Sequence, residues 1–408
     1  MPAASTPTPA SRREPSSGIA RLALVLGLLT AIGPFAIDMY LPALPTLAKT
    51  LQATPHAAQA SLMSFFLALG AGQLIVGPLS DRFGRKAPLC VGLAVFSVAS
   101  FGCALAPTIG VLIALRFVQG LGACAAMVIP RAVVRDLHSG PEAARLMALL
   151  LTVYSVSPIL APLAGSAVAA AAGWRSVFVA VGALALLAIF MVSRLLQETR
   201  SPAARNPAGM RGAFAGYRTL LADRHFVGIA LVASLAVGSF FIYVANSAFV
   251  FASHYGVGPQ RYALLFSLNA VSLVFVSQLN GPLSAKLGLR RTLRWAAALQ
   301  MAVLLSLLAA QVAGLDQLWL LVLLLMGGFG LNGLIVPSAF VLAMDQHASR
   351  AGSASALIGT LNFAGGAVLM SLVAPFADGS PLPMIAGIAA CAVGVAVLAA
   401  TALRKLEA

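Results

Sequence analysis

Long apolar runs, separated by short polar segments, occupy most of the chain. Each run has about 20 residues, the length of helix that crosses the ~30 Å hydrocarbon core of a bilayer. The ten-residue alternation of polar and apolar positions that a transmembrane barrel requires is absent. The pattern therefore predicts an all-α polytopic membrane protein with twelve spans, at residues 18–45, 57–79, 88–106, 109–131, 146–169, 174–196, 225–250, 260–283, 292–313, 317–341, 354–376 and 382–403.

The spacing of these runs divides the chain into two sets of six. Short loops join the spans within each set, whereas the longest polar connector, rich in arginine, proline and glycine, separates the sets. We expect a short surface helix near residues 213–221 of this connector. The predicted units are a disordered N-terminal tail at 1–17, a six-helix bundle at 18–196, a cytoplasmic linker at 197–224, a second six-helix bundle at 225–403 and a C-terminal tail at 404–408.

One decapeptide occurs at the same place in both sets. Residues 77–86 read Gly-Pro-Leu-Ser-Asp-Arg-Phe-Gly-Arg-Lys, and residues 281–290 read Gly-Pro-Leu-Ser-Ala-Lys-Leu-Gly-Leu-Arg, so five of ten positions are identical. The offset of 204 residues is half of the 408-residue chain. It predicts two equivalent bundles related by an axis along the membrane normal, an arrangement typical of carriers that work by alternating access.

Composition and charge fit this interpretation. The chain is 60% hydrophobic and 9% charged, with a mean hydropathy of +0.95, which excludes a soluble domain of this size. The net charge of +15 would suit a nucleic-acid partner, but 22 of the 26 Lys and Arg residues lie in tails and loops on one side. Only Lys49, Arg175 and Arg261 fall on the other side. This asymmetry follows the positive-inside rule with both termini cytoplasmic, so we expect no nucleic-acid partner.

Neither cysteine nor histidine points to a metal or cofactor. The four cysteines lie in apolar spans without a Cys-x-x-Cys pair, and the five histidines are scattered. We therefore expect no metal site and no cofactor. The first apolar run is too long for a signal peptide and contains Asp38, so it predicts a retained span.

Four segments resemble motifs of one transporter family. Residues 38–45 read Asp-Met-Tyr-Leu-Pro-Ala-Leu-Pro, and residues 116–122 read Arg-Phe-Val-Gln-Gly-Leu-Gly. Residues 157–165 read Ser-Pro-Ile-Leu-Ala-Pro-Leu-Ala-Gly, with alanine where that family's antiporter motif usually has its Gly-Pro glycine. With the decapeptide 77–86, these segments resemble the major facilitator superfamily, and within it the Bcr/CflA-type multidrug resistance group of proton antiporters.

The resemblance implies a major facilitator fold of two pseudo-symmetric six-helix bundles. It further implies proton-driven export of small amphipathic, drug-like substrates from the bacterial inner membrane, by a carrier that is not an enzyme. Protons would be the coupling ion, and function as a monomer among membrane lipids is the expectation for this architecture.

Asp38 is the candidate for proton coupling because it is the one acidic residue clearly within a predicted span. Ionised groups in hydrocarbon are costly and mark ion or substrate paths, and a carboxyl group withdrawn from water can exchange a proton near neutral pH. Arg116 lies in span four at a similar predicted depth, and a lone arginine there costs about 2.5–3.5 kcal/mol. We therefore expect Arg116 and Asp38 to interact, directly or through water.

The first decapeptide is predicted to form a cytoplasmic gate. Its Gly77 is expected to allow close packing and its Gly84 a tight reversal between spans two and three. By the family pattern, Asp81 would meet the start of span eleven at residues 353–355. Asp136, after span four, is the predicted partner of the motif's cations, Arg82, Arg85 and Lys86.

Two further sets of residues complete the predicted machinery. In span five, Pro158, Pro162 and Gly165 would form a hinge, since proline removes a backbone donor and bends a helix. Polar, methionine and aromatic side chains in spans one, four, five and seven are the candidates for substrate contact. These are Asp38, Tyr40, Gln119, Met127, Tyr154, Phe241, Tyr243 and Asn246.

Three alternatives to drug export remain at this point. The first is a proton-coupled or facilitative carrier of a small metabolite, such as a sugar, an amino acid or a siderophore precursor. The second is a membrane enzyme or receptor, which no paired catalytic acids, metal cluster or soluble domain supports. The third is an ATP-driven pump, which the missing phosphate-binding loop disfavours.

Overall fold

The computed structural model describes residues 16–201, 209–345, 347 and 350–404. The predicted tails therefore lie outside the described residues except for 16, 17 and 404, as do residues 202–208 of the predicted linker. Sixteen α-helices form within the described part of the chain. They are α1 Ser16–Asp38, α2 Leu44–Thr50, α3 Pro55–Phe83, α4 Lys86–Leu105, α5 Ile109–Leu137, α6 Gly140–Ala172, α7 Trp174–Leu195, α8 Gly209–Ala222, α9 Arg224–Ser253, α10 Pro259–Gln278, α11 Asn280–Leu287, α12 Leu289–Val312, α13 Leu318–Gly330, α14 Asn332–Asp345, α15 Ala351–Val373 and α16 Pro381–Arg404.

Twelve segments among these residues are long and apolar enough to cross a membrane, which confirms the predicted number of spans. α5 and α6 run further toward their shared loop than predicted, to Leu137 and from Gly140. Hydropathy marks where hydrocarbon ends, but helical hydrogen bonding continues into water, so the helices are longer than the apolar runs.

Span one differs from its prediction as a single continuous helix. α1 ends at Asp38, a short 3₁₀ turn covers Leu41–Ala43, and α2 completes the span. Pro42 and Pro45 have no backbone N–H to donate, so a regular α-helical ladder cannot continue through this segment. The break places Asp38 at a helix terminus inside the membrane region.

The decapeptide copies occupy matching places in the two halves. Residues 77–83 form the last turns of α3 rather than a loop, and the chain reverses at Gly84, whose φ of +92° is readily adopted only by glycine. In the second copy, α11 ends at Leu287 and the chain reverses at Gly288, with a φ of +82°. The repeat seen in the sequence is thus also a repeat of backbone geometry.

Each half packs largely on itself. In the first half, α5 lies against α3 and α4, and α1 lies against α5, α6 and α7. In the second half, α9 lies against α14, α15 and α16, and α10 lies against α13. We call the end holding residues 51–54 the outer end and the end holding residues 84–85 the inner end, following the predicted topology.

Two long helix pairs join the halves, α3 with α15 and α6 with α10. At the outer end, α2 and the Leu41–Ala43 turn also pack against α9. Small residues permit close approach in the middle of the seam, where a Cβ added at Gly70 would lie 2.7 Å from the Ala364 backbone nitrogen. Toward the inner end, α8 of the linker packs against both α3 and α15.

Candidate functional site

Asp38 lies between the two halves of the molecule. It is 4% exposed and makes no ion pair with any residue that the structure describes. Tyr154 of α6 and Tyr262 of α10 lie within electrostatic range of its carboxyl group, one from each half. α10 also packs against the Leu41–Ala43 turn that follows Asp38. A buried carboxyl group therefore sits where α1 ends and the halves meet.

Arg116 is completely buried inside the first half. Its Nη1 donates to the Ala36 carbonyl oxygen at 3.1 Å and to Gln119 Oε1 at 2.7 Å. Gln119 Nε2 in turn donates to Ser100 Oγ at 2.7 Å. This chain of hydrogen bonds links the end of α1 to α5 and α4.

Aromatic rings surround the Arg116 guanidinium group. Its Cζ lies 4.2 Å from the ring centroid of Phe65, 5.0 Å from that of Tyr40 and 5.8 Å from that of Phe178. The Nε and Nη2 atoms of Arg116 have no hydrogen-bond partner among the described residues. The π faces of these rings therefore provide much of the stabilisation that this buried cation receives.

The expected direct interaction of Arg116 with Asp38 is wrong for this structure. Arg116 does reach the last turn of α1, as the depth argument implied, but it binds the Ala36 carbonyl oxygen. Tyr40, which follows the end of α1, turns its ring toward Arg116. No hydrogen bond or ion pair joins Arg116 to Asp38 among the described residues. Sequence spacing gives depth, but the rotation of a broken helix depends on packing.

Several of the side chains predicted to contact substrate form hydrogen bonds with other groups of the protein instead. Gln119, a candidate for substrate contact, is fully buried and hydrogen-bonded to Arg116 and Ser100, so it is not open to a substrate in this structure. The Tyr40 hydroxyl lies 2.7 Å from Ser61 Oγ.

The candidates in α9 are engaged as well. Tyr243 is fully buried and accepts a hydrogen bond at 3.1 Å from Asn269 Nδ2. Asn246 is bonded to the other half, as described below. Met127 and Tyr154 remain beside the path of α1, with Met127 packed so closely on Gly33 that a Cβ there would lie 2.8 Å from its Sδ.

A buried amide pair joins the halves at the outer end. Gln59 Nε2 of α3 donates to Asn246 Oδ1 of α9 at 3.1 Å, and Asn246 Nδ2 donates to the Ile242 carbonyl oxygen. Both side chains are at most 3% exposed. Sequence reasoning missed Gln59, although a glutamine inside a predicted span was a usable signal.

An aromatic stack joins the halves further in. Phe66 of α3 lies against Phe241 of α9, with ring centroids 4.2 Å apart and an interplanar angle of 10°. Phe363 of α15 lies 5.5 Å from Phe241 and 6.0 Å from Phe66. Phe241 was a candidate for substrate contact, whereas Phe66 and Phe363 were missed. The sequence does not distinguish a phenylalanine that packs between the halves from one that faces lipid.

At the inner end, Arg85 gathers two carboxylates. Its Nε donates to Asp136 Oδ2 at 2.7 Å, and its Nη1 lies 2.8 Å from Asp81 Oδ1 and 2.7 Å from Ser80 Oγ. Burial alone would lower the pKa of Arg85, but the hydrogen bonds and charges of these carboxylates raise it above its ordinary value. The structure thus brings together Arg85, Asp81 and Asp136 of the predicted gate.

Other expectations for this motif are wrong in this structure. Asp81 pairs with Arg200 at 2.7 Å and with Arg85, rather than with the start of α15. Lys86 Nζ donates to the Ser193 carbonyl oxygen, and Arg82 lies over the Phe83 ring, so neither pairs with Asp136. These side chains leave the helix end in other directions.

Gly77 does not serve close packing, since a Cβ added there would have no neighbour within 4 Å. Gly84, by contrast, is needed both for its positive φ and for space, because an added Cβ would lie 2.5 Å from Glu198 Oε2. The need for space at Gly84 arises from Glu198, which lies outside the motif.

Glu198 is part of this inner cluster and was not predicted. It follows α7 and accepts hydrogen bonds from the backbone nitrogens of Arg85 at 2.8 Å and Lys86 at 3.1 Å, at the start of α4. Partial burial acts to raise the pKa of Glu198, but the hydrogen bonds from backbone N–H groups outweigh it and lower the pKa. A carboxylate stabilises the positive end of a helix dipole, but Glu198 is far from α4 in the sequence, so no local pattern predicts this contact.

The predicted hinge residues lie in α6, which faces the second half. Pro158 and Pro162 are both inside this helix, and the Ile159 carbonyl oxygen between them accepts a hydrogen bond from Ser267 Oγ of α10 at 2.8 Å. Gly165 lies directly against the Met39 backbone, next to Asp38. The hinge segment therefore touches both α10 and the break in span one.

Comparisons with known proteins agree with this arrangement. Residues 26–370 match the sequence pattern of the Major Facilitator Superfamily. The chain is 36% identical to the uncharacterized MFS-type transporter YdgK of Bacillus subtilis, over 86% of this chain and 88% of that protein. It is 31% identical to the bicyclomycin resistance protein homolog of Haemophilus influenzae, over 92% of this chain and 94% of the relative.

The fold has counterparts among solved structures. A bacterial homolog of the human lysosomal transporter Spinster, in an inward-facing and unoccupied conformation, superposes with a TM-score of 0.72 at 17% identity, covering 97% of this chain and 99% of that chain. The family consists of transporters rather than enzymes, and the twelve apolar helices make this an integral membrane protein. The chain belongs to the Major Facilitator Superfamily, as the motifs in spans one, four and five and the repeated decapeptide had indicated.

Proposed function

We propose that this protein is a proton-driven exporter of small amphipathic drugs in the bacterial inner membrane. The observation that carries the proposal is the position of Asp38, which among the described residues is the one buried carboxyl group and lies where the two halves meet. The likeness to proteins named for bicyclomycin and multidrug resistance supports the choice of cargo. Protons are the coupling ion, and no cofactor is required.

Protonation of Asp38 is the coupling step. A neutral carboxyl group is tolerated between packed helices, whereas a carboxylate there needs water or a cationic partner. Protonated Asp38 therefore favours the arrangement in which the halves close around it, and its ionised form favours an arrangement that admits water or substrate. A membrane potential adds about 2.3 kcal/mol per charge per 100 mV to this cycle.

Arg116 links that step to the first half. It holds the Ala36 carbonyl oxygen in the turn that ends at Asp38, and two of its nitrogen atoms have no partner among the described residues. A charge that appears on Asp38 is attracted by this cation, and α1 transmits the pull because both groups act on its last turn. Arg116 is thus a positioning residue for Asp38.

Alternating access follows from contacts that lie at opposite ends. The Gln59–Asn246 pair closes the outer end, and the Arg85 cluster stabilises the inner end of the first half. Opening outward requires the amide pair to separate, and the repeated halves provide the two bodies that move. The working unit is a monomer with both termini in the cytoplasm.

Transport by inverted membrane vesicles tests the proposal. Vesicles that contain the protein should accumulate a fluorescent drug-like cation or chloramphenicol when a pH gradient is imposed, and a protonophore should abolish accumulation. Accumulation that persists with the protonophore would contradict proton coupling. Counterflow of sugars or amino acids without any drug transport would instead establish the alternative, a metabolite carrier.

A further inference from the structure

The linker helix α8 lies across the seam between the two halves. Its Tyr217 hydroxyl donates to the Leu74 carbonyl oxygen of α3 at 3.0 Å. Its Gly216 lies against Ser353 of α15, so closely that an added Cβ would be 2.8 Å from Ser353 Oγ. Of the elements that the structure describes, α8 therefore contacts α3 of the first half and both α15 and α9 of the second.

The contacts also give the depth of α8. Leu74 lies seven residues before Asp81 on α3, which corresponds to about 10 Å of helix rise toward the membrane. Ser353 is in the first turn of α15. Tyr217 and Leu220, at 5% and 0% exposure, are buried toward these spans. α8 thus lies at the level where the inner leaflet begins.

The face of α8 next to Tyr217 is apolar and basic, and the Phe214 ring packs edge-on against Tyr217 with ring centroids 5.9 Å apart. Phe214 and Leu221 are 56% and 55% exposed, and they lie seven residues apart, on one face of the helix. Arg218 lies between them on that face and has no hydrogen bond, ion pair or ring contact with any described residue. The sequence of α8 contains no acidic residue.

We propose that this face of α8 binds an anionic phospholipid of the inner leaflet. Phe214 and Leu221 would lie among the acyl chains, and Arg218 would pair with the phosphate, the division expected of an interfacial amphipathic helix. Water is a poor neighbour for this face because it would leave the large apolar side chains of Phe214 and Leu221 exposed. Anionic lipid is favoured over zwitterionic lipid because the helix carries only positive side chains.

The bound lipid has a mechanical consequence. α8 is tied to α3 by Tyr217 and to α15 at Gly216, so it must shift when the two halves separate at the inner end. A lipid that fixes α8 in the membrane surface therefore raises the barrier to that separation.

Quenching by brominated lipid tests the placement of this face. Phe214→Cys and Leu221→Cys would be labelled with bimane in protein whose four native cysteines are replaced by alanine, then reconstituted with brominated phosphatidylglycerol or brominated phosphatidylcholine. The matched control is Glu142→Cys, an exposed side chain on the same side of the protein. We expect both α8 labels to be quenched at least about twofold more than the control, and more by phosphatidylglycerol than by phosphatidylcholine.

Arg218→Gln separates lipid binding from simple burial. It should remove the preference for phosphatidylglycerol at the α8 labels, whereas Arg145→Gln, which removes an exposed cytoplasmic-side charge elsewhere, should leave the preference intact. Quenching equal to that of the control would overturn the proposal by placing the face in water. Equal quenching by both lipids in the otherwise unaltered chain would also overturn it. Neither outcome depends on whether the protein exports drugs.

Discussion

At the residue scale, Arg116 and Asp38 are both buried within the membrane-spanning helices, and their surroundings differ. Arg116 keeps its charge by binding the Ala36 carbonyl oxygen, Gln119 and three aromatic rings. Asp38 has no such partner within the described part of the chain, and it is the group that we propose gains and loses the coupling proton. Arg116 is therefore fixed within the first half by its partners, whereas Asp38 is the candidate for proton coupling.

Replacing Gln119 should reveal how much Arg116 depends on its hydrogen bonds. Gln119→Leu removes the acceptor of the 2.7 Å bond from Arg116 and the donor to Ser100. Leaving a buried polar group unsatisfied costs about 1–3 kcal/mol and a charged group more, so the variant should unfold at a lower temperature in detergent. Gln260→Leu, at an exposed position of α10, is the control. Equal unfolding temperatures for the two variants would contradict this account of Arg116.

At the scale of elements, the inner end of the first half is held by groups from separate segments. Arg85 lies in the turn between α3 and α4, Asp136 is near the end of α5, and Glu198 follows α7. Sequence analysis predicted Asp136 as the partner of Arg82, Arg85 and Lys86, and of these three Arg85 makes the contact. The contribution of Glu198 and Arg200 was not predictable, because their segment carries no periodic pattern that fixes where it lies.

The Glu198 contacts should make the stability of the inner end depend on acid pH. Because folding lowers the pKa of Glu198, its contribution is present above the pKa of the unfolded chain and is lost as pH falls through the folded value. Unfolding temperatures measured from about pH 6 down to about pH 3 should therefore fall, and Glu198→Gln should flatten part of that fall. An identical pH profile in the variant would contradict the assignment, and Glu142→Gln at an exposed site is the control.

Hydrophobic patterning and the internal repeat were enough to predict the fold, but only part of the candidate site. Apolar runs of membrane length predicted all twelve spans because a span depends on local composition. The decapeptide predicted the equivalence of the halves because its two copies can be aligned within the sequence itself. The binding of Arg116 to the Ala36 carbonyl oxygen was not predictable, since sequence spacing gives depth in the membrane but not side-chain packing. The partners Gln59 and Asn246 come from different halves, and no single-sequence signal pairs them.

At the scale of the whole molecule, the Gln59–Asn246 hydrogen bond joins the two halves, and the proposed alternating access requires this contact to break during transport. Gln59 and Asn246 belong to α3 and α9, which lie in different halves. In protein without native cysteines, Gln59→Cys with Asn246→Cys should be joined by a short bifunctional reagent. The cross-link should stop transport, and cleaving the reagent should restore it.

A pair within one half provides the matched control for that cross-link. Ser64 Oγ of α3 donates to the Ile113 carbonyl oxygen of α5, and both residues belong to the first half. Cross-linking Ser64→Cys to Ile113→Cys should leave most transport intact because these helices move together. Full transport with the Gln59–Asn246 cross-link in place would contradict an outer closure at this site.

The central claim is that Asp38 carries the proton that drives export, and one substitution tests it most directly. Asp38→Asn keeps the shape of the side chain but cannot change charge, and Asp378→Asn, in an outer loop, is the matched control. Drug accumulation driven by a pH gradient would be measured in inverted vesicles, with unfolding temperature as the check on folding. The account predicts a folded Asp38→Asn protein without gradient-driven accumulation, and unimpaired accumulation in that variant would contradict it.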